Sequence, residues 1–146
     1  MKMRLQFLGS LVAITAALAL PAGAARLDGA DHGGRPLTAE LSGANEVPTK
    51  PAEQTGIAAI TLNQGQGEVC YDIDVSNIIG TVVAAHIHTG TAGVNGLVVI
   101  PLPPLSGCVS ADRDLIKRIR QNPTDFYVNV HTTTYPGGAV RGQLSR

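Results

Sequence analysis

The sequence is poor in the groups that nucleic-acid-binding proteins commonly use. Its 146 residues include no tryptophan, two phenylalanines and three tyrosines, so they offer few rings on which a base or a sugar could stack. Charged residues make up 15% of the chain, the formal net charge is zero and no run of like charges occurs. We therefore expect neither nucleic acid nor an anionic membrane surface as a partner. A CxxC pair, a phosphate-binding loop and a nucleophile elbow are also missing from the sequence, so no such motif indicates an enzyme class.

Cysteine is scarce as well, because Cys70 and Cys108 are the two in the chain. In an oxidising compartment an isolated pair is most simply one disulfide, although two buried free thiols would also fit the count. A bridge between them closes a loop of about forty residues and is expected to stabilise the fold by about 4 kcal/mol, because it restricts the unfolded chain.

The first 24 residues have the pattern of an export signal. Lys2 and Arg4 precede an apolar stretch from Leu5 to Leu20, and small residues at 22–24 offer a cleavage site. The apolar stretch is short for a membrane span, so we interpret residues 1–24 as a signal peptide, with an uncleaved anchor as the alternative. This predicts a secreted or periplasmic protein without membrane contact after cleavage.

The rest of the chain indicates one β-rich domain. Residues 25–36 are rich in glycine and show no periodicity, which predicts a flexible lead-in, and residues 37–146 are predicted to fold. Seven or so short β-rich runs alternate with turns, and "TYPGG" before the last run predicts a type II turn. The runs are "LTAEL", "IAAITL", "EVCYDIDVSNI", "TVVAAHIH", "GLVVIPL", "DFYVNVHTT" and "GAVRGQL". This pattern predicts an all-β antiparallel sandwich or partly closed barrel.

One segment, "SADRDLIKRIRQNP", predicts a short helix instead of a strand. Ser110 is expected to cap its N-terminus and Pro123 to end it. The basic residues in its second half are expected to complement the helix dipole rather than to form a binding patch. Its apolar face consists of Leu115, Ile116 and Ile119.

Three histidines are the candidates for chemistry. In "AAHIH" the side chains of His86 and His88 share one strand face, and in "YVNVH" those of Tyr127, Asn129 and His131 share another. If these strands are neighbours, three imidazoles converge and can bind zinc or copper with one position open for another ligand. Two other interpretations stay open: the rings can hydrogen-bond to loop backbone, or they can be polar residues on a half-exposed strand.

Three segments resemble a known family. In this order, "LSGANEVP", "AAHIHTGTAGVNG" and "FYVNVHTTTYPGGAVRGQL" look like the chordin-type domain, called the CHRD domain, from about Leu37 to Leu144. In animal chordin several such domains belong to an extracellular protein that sequesters bone morphogenetic proteins. This chain lacks chordin's cysteine-rich modules, so the resemblance does not imply that activity here.

The same segments are similar, more distantly, to copper–zinc superoxide dismutase. That similarity implies an immunoglobulin-like Greek-key barrel in which His86, His88 and His131 match copper ligands. It also implies that Arg141 matches the arginine that guides the anion to the metal. The bridging histidine, the zinc-ligand cluster and the long electrostatic loop of the dismutase have no evident counterpart in this sequence.

We therefore predict a secreted CHRD-domain protein that is not an enzyme and binds an undetermined extracytoplasmic ligand. Copper or zinc is the candidate cofactor, held by His86, His88 and His131. The ligand surface is expected at the loop 86–96 and the turn 132–138, because loops at one end of a sandwich carry recognition. The alternatives are a copper-dependent redox enzyme of the dismutase type and a purely structural exported domain.

Overall fold

A computed structural model of the chain describes residues 34–103 and 105–146, which form eight strands and one α-helix. The strands are β1 (Arg35–Ser42), β2 (Thr55–Asn63), β3 (Glu68–Ser76), β4 (Val82–Thr89), β5 (Val98–Pro101), β6 (Ser106–Ser110), β7 (Phe126–Thr132) and β8 (Val140–Gln143). The helix α1 is Arg113–Gln121. The proposed signal peptide and most of the lead-in lie outside the described residues, and β1 begins shortly before the expected domain start.

All eight strands belong to one antiparallel sheet in the order β5-β4-β7-β8-β1-β2-β3-β6. The segment between the two edge strands nearly closes this sheet into a barrel. The Leu102 amide donates to the Ala85 carbonyl at 2.9 Å, and the Ile73 amide donates to the Leu105 carbonyl at 2.8 Å. The predicted all-β antiparallel fold with one helix is therefore confirmed, while its immunoglobulin-like Greek-key detail stays a prediction.

The core lies inside this barrel and consists mainly of the side chains that point inward from every second position of the strands. In β3 the side chains of Val69, Tyr71 and Ile73 are buried in the core cluster, because alternate residues of a strand point to the same face. Cys70 points the other way and forms a disulfide with Cys108, its direct partner in the β3–β6 register. The predicted disulfide is thus present, and it joins two neighbouring strands.

The helix and one turn differ from the sequence-based expectations. Ser110 is the last residue of β6 and pairs with Glu68, so it cannot cap the helix, and the Asp112 side chain accepts from the Leu115 amide at 2.9 Å instead. In the turn between β7 and β8 the positive φ of 129° falls on Gly138, one residue later than a type II turn requires. No helix within the described ranges is long and apolar enough to cross a membrane.

Candidate metal centre

Three neighbouring strands, β4, β7 and β8, present a cluster of polar side chains on the outer face of the sheet. In the β4–β7 register His86 lies opposite Asn129, and His88 lies opposite Tyr127. On the other side of β7, Arg141 of β8 lies opposite Asn129. The residues between them along each strand belong to the core, so these five side chains share the outer face.

The structure brings the three histidines together on this face. The Nδ1 atom of His86 lies 2.9 Å from Nε2 of His131, and the two ring centroids are 4.8 Å apart. The His88 centroid lies 5.6 Å from that of His86 and 6.4 Å from that of His131. One nitrogen of each ring lies within 4.8 Å of the other two, so a point exists within about 3 Å of all three. Small side-chain rotations would therefore let one ion contact all three rings.

Backbone carbonyls fix the orientation of two of these rings. The Nδ1 atom of His131 lies 2.9 Å from the Pro136 carbonyl oxygen, and that of His88 lies 3.0 Å from the Gly96 carbonyl oxygen. A carbonyl oxygen only accepts hydrogen bonds, so in both neutral rings Nδ1 carries the proton and Nε2 presents a lone pair. His86 Nδ1 then donates to Nε2 of His131. Histidines that bind metals usually donate their second ring nitrogen to a carbonyl in this way.

The Nε2 atom of His88 is a hydrogen-bond acceptor without a partner among the described residues. It is buried, and no hydrogen-bond partner reaches it from the part of the chain that the structure describes. The ring is held in place, because it stacks on Tyr127 with a centroid separation of 4.8 Å and 9° between the planes. A buried acceptor left without a partner costs about 1–3 kcal/mol. A cation of the kind that imidazole binds would remove that cost, so these residues fit a copper or zinc ion.

The surroundings favour the neutral, metal-binding form of two rings. Burial lowers the pKa of His86 below its ordinary value, and the neighbouring His131 and His88 lower it further by charge repulsion. Burial also lowers the pKa of His88. The Gly96 carbonyl and the nearby Asn129 side chain act in the opposite direction on the pKa of His88 but do not outweigh the burial. Neutral imidazole is the form that coordinates a metal.

Arg141 lies beside the histidines in a buried ion pair. Its Nη2 and Nε atoms lie 3.0 and 3.2 Å from Oε2 of Glu46, and the two side chains are 4% and 1% exposed. The guanidinium also donates to the Val94 carbonyl and to the side-chain oxygen of Asn95, both in the β4–β5 loop. Its charge is thus offset by a carboxylate. The anion-guiding role of Arg141 stays a prediction, and this pairing weighs against it.

Sequence reasoning did not single out Glu46 or Asn129 as members of this cluster. The Nδ2 atom of Asn129 donates to Oε1 of Glu46 at 2.9 Å, so one carboxylate holds both the amide and the guanidinium. Glu46 lies in a loop after β1, where a single glutamate gives no signal of pairing with a distant residue. Strand alternation does place Asn129 on the face of His131, but an amide belongs to no common metal motif.

The β4–β5 loop covers one side of the cluster. The Gly96 amide donates to the Tyr127 hydroxyl at 3.2 Å, and its carbonyl holds His88. A Cβ atom at Gly96 would lie 1.5 Å from the Thr89 carbonyl oxygen, so only glycine allows this close approach. The next side chain, Leu97, is 79% exposed. The loop that the sequence indicated as a recognition segment is therefore both anchored to the site and open to solvent.

Comparison with protein-family models identifies the family of the chain. The model of the CHRD domain matches residues 37–144, which is most of the chain. The chain belongs to the CHRD family. The resemblance inferred from the three sequence segments is thereby confirmed. No curated protein and no solved structure significantly matches this CHRD domain.

The lowered histidine pKa values predict that acid destabilises the CHRD domain. In the unfolded chain the histidines take up protons near pH 6.5, whereas in the folded domain His86 and His88 resist protonation until lower pH. The unfolded state then binds more protons than the folded state below pH 6.5. The contribution of these two histidines to the free energy of unfolding should therefore be complete above pH 6.5 and decrease as the pH falls toward their folded-state pKa values. Urea unfolding at pH 7.5, 6.5 and 5.5 in the presence of a chelator measures this.

The variant His88→Gln removes one of these titrating groups and is the comparison for the pH series. Its stability should depend less on pH than that of the wild-type domain over the same range, because one source of differential proton uptake is gone. Equal pH dependence in the two proteins would contradict the assignment of the effect to this ring.

Proposed function

We propose that this protein is an extracellular CHRD-domain binding protein that holds one copper or zinc ion through His86, His88 and His131. The observation that carries the proposal is the convergence of the three imidazoles, with one nitrogen from each within 4.8 Å of the other two. Two of the rings are oriented by carbonyl groups, as metal-binding histidines usually are. The open acceptor on His88 is buried where a cation would satisfy it.

The donor set decides which ions are candidates. Three neutral imidazoles suit zinc and copper, and Cu²⁺ binds nitrogen donors more tightly than Zn²⁺ in the general order of divalent metals. When bound, the ion would supply a positive charge that links β4, which carries two of the donors, to β7, which carries the third. The rings themselves are presented by rigid strands and not by flexible loops, which favours a fixed geometry.

Isothermal titration of the chain without its first 24 residues with copper and zinc salts tests this proposal. We expect a single site with a Kd below about 10 μM for at least one ion, with copper tighter than zinc. The double variant His86→Ala/His131→Ala should bind at least about 100-fold more weakly, because two of three donors are lost. His32→Ala is the matched control, since it removes the one histidine of the sequence that the proposal does not use and should bind as the wild type does.

Two results of this titration would reject the metal role. One is the absence of binding by the wild-type chain. The other is equal binding by the wild type and the double variant, which would place the ion elsewhere. If the double variant lowered only the melting temperature, with no ligand affinity to lose, the purely structural alternative would hold.

The extracellular placement is part of the proposal. It is supported by the family match, because CHRD domains occur in extracellular proteins, and by the Cys70–Cys108 disulfide, which persists in oxidising compartments. The signal-like pattern of residues 1–24 supports secretion or export to a periplasm. We expect the partner to contact the loop 86–96 and the turn 132–138, beside the histidines.

The dismutase-type alternative receives less support from the geometry. A redox enzyme acting on a small anion needs a charge that attracts the anion, and Arg141 is buried against Glu46. The proposal is therefore a binding domain with a bound ion. The dismutase alternative would require superoxide removal that follows copper content and falls when Arg141 is replaced.

A further inference from the structure

Asn129 lies in the middle of the polar face, and the orientation of its amide is determined. Its Nδ2 atom donates to Oε1 of Glu46 at 2.9 Å. Glu46 is ion-paired with Arg141 and only accepts hydrogen bonds, so the amide cannot be flipped without placing two oxygens together. The Oδ1 atom therefore points away from Glu46. The residue is 2% exposed, and Oδ1 has no hydrogen-bond partner within residues 34–103 and 105–146.

This oxygen and the Nε2 atom of His88 form a pair of buried acceptors. Asn129 lies directly opposite His86 and diagonal to His88 across β4 and β7, so its amide is close to the His88 ring. In the neutral ring the proton is on Nδ1, which holds the Gly96 carbonyl. Nε2 of His88 and Oδ1 of Asn129 are then both acceptors and cannot hydrogen-bond to each other. A cation beside them would satisfy both, whereas leaving both open is costly.

We propose that Oδ1 of Asn129 is the fourth protein donor of the metal centre, together with His86, His88 and His131. This inference rests on the proposed metal function. Asn129 lies opposite His86 across β4 and β7, and it is two residues from His131 on the same face of β7, so it is next to donors on both strands. The amide oxygen would complete a set of three nitrogens and one oxygen.

A fourth protein donor has a consequence for function. Structural zinc sites have four protein ligands, whereas catalytic sites keep one position for water or substrate. A centre closed by Asn129 would hold an ion in place and would leave no position open for redox chemistry on a small molecule. This favours a binding domain with a structural ion over an enzyme.

Two isosteric substitutions separate a donor role from a packing role. Asn129→Leu and Asn129→Asp both remove the Nδ2 hydrogen bond to Glu46, but the aspartate keeps an oxygen donor. Titration calorimetry with copper and zinc salts should show about 10- to 100-fold weaker binding for Asn129→Leu. Asn129→Asp should bind more tightly than Asn129→Leu, because it keeps an oxygen donor, although its carboxylate also lies against Glu46. Binding by Asn129→Leu equal to that of the wild type, or tighter than that of Asn129→Asp, would show that Asn129 is not a donor.

A second measurement uses the wild-type chain and does not depend on the folding of a variant. Pulsed electron paramagnetic resonance of the Cu²⁺-loaded protein, in water enriched in the magnetic oxygen isotope, detects water bound to the ion. We expect no equatorial water in the wild type and one in Asn129→Leu. An equatorial water in the wild type would overturn this inference alone. A wild-type chain that binds neither ion would overturn the metal function and this inference together.

Discussion

Replacement of Glu46 by glutamine is expected to lower the free energy of unfolding by about 3 kcal/mol, because it leaves the buried Arg141 guanidinium without a compensating charge. The carboxylate and the guanidinium are 1% and 4% exposed, so water cannot take the place of the lost partner. Glutamine keeps the shape of the side chain but has one acceptor oxygen where the carboxylate uses two, so the variant loses the charge and a hydrogen bond from Arg141 or Asn129. Urea unfolding of the variant and the wild type at pH 7 measures the difference.

Two further variants control this experiment. Glu40→Gln removes an exposed carboxylate from β1 and should change the stability by less than about 0.5 kcal/mol. The double variant Glu46→Leu/Arg141→Met removes both charges and should regain much of the loss, as apolar replacements of buried pairs often do. A loss below about 1 kcal/mol for Glu46→Gln, the range of exposed ion pairs, would contradict the account of a desolvated pair.

The ion pair also connects stability to the candidate metal centre. Arg141 donates to the Val94 carbonyl and to Asn95, and Asn95 in turn donates to the Val47 carbonyl near Glu46. Glu46 therefore holds the loop over the histidines through Arg141, and it holds Asn129 directly. Strands β4, β7 and β8 carry core residues on the face opposite the network, so the geometry of the site depends on the packing of the barrel.

Most of the sheet could be predicted because its strands alternate between core and surface residues. In β3 the apolar side chains occupy every second position, and that period by itself indicates a half-buried strand. Strand β6 was not predicted, because Ser106–Ser110 is short and polar and contains a glycine. Its sequence therefore lacks the alternation of apolar residues that indicates a strand. It is a strand because it pairs with β3, which no local pattern reveals. The helix start moved to Asp112 for the same reason, since Ser110 is used in that pairing.

The site could be predicted in part. The spacing of His86 and His88 places both rings on one face, but the third ring comes from a strand 45 residues later, and the sequence cannot show that the two strands are neighbours. Glu46 and Arg141 are separated by 95 residues, so their pairing follows from topology and not from any motif. The sequence therefore identifies histidines as the donors, whereas the fold is needed to show that the three rings come together.

Removal of the disulfide is expected to cost about 4 kcal/mol of unfolding free energy, because the bridge spans 38 residues and restricts the unfolded chain. Cys70→Ala/Cys108→Ala is the suitable double variant, since Cys70 is buried and serine would place an additional hydroxyl there. Urea unfolding of the wild type with and without reductant, and of the double variant, measures the loss. Reductant should lower the stability of the wild type and leave the double variant unchanged.

The same double variant separates stability from metal binding. The cysteines lie on β3 and β6, which pair neither with β4 nor with β7, so the loss should come from the unfolded state and leave the three histidines in place. Copper and zinc affinities should then equal those of the wild type at a temperature where the variant is folded. Thiols that alkylate freely in the wild type without reductant would contradict the bridge. A parallel loss of metal affinity would show that the bridge also shapes the native site.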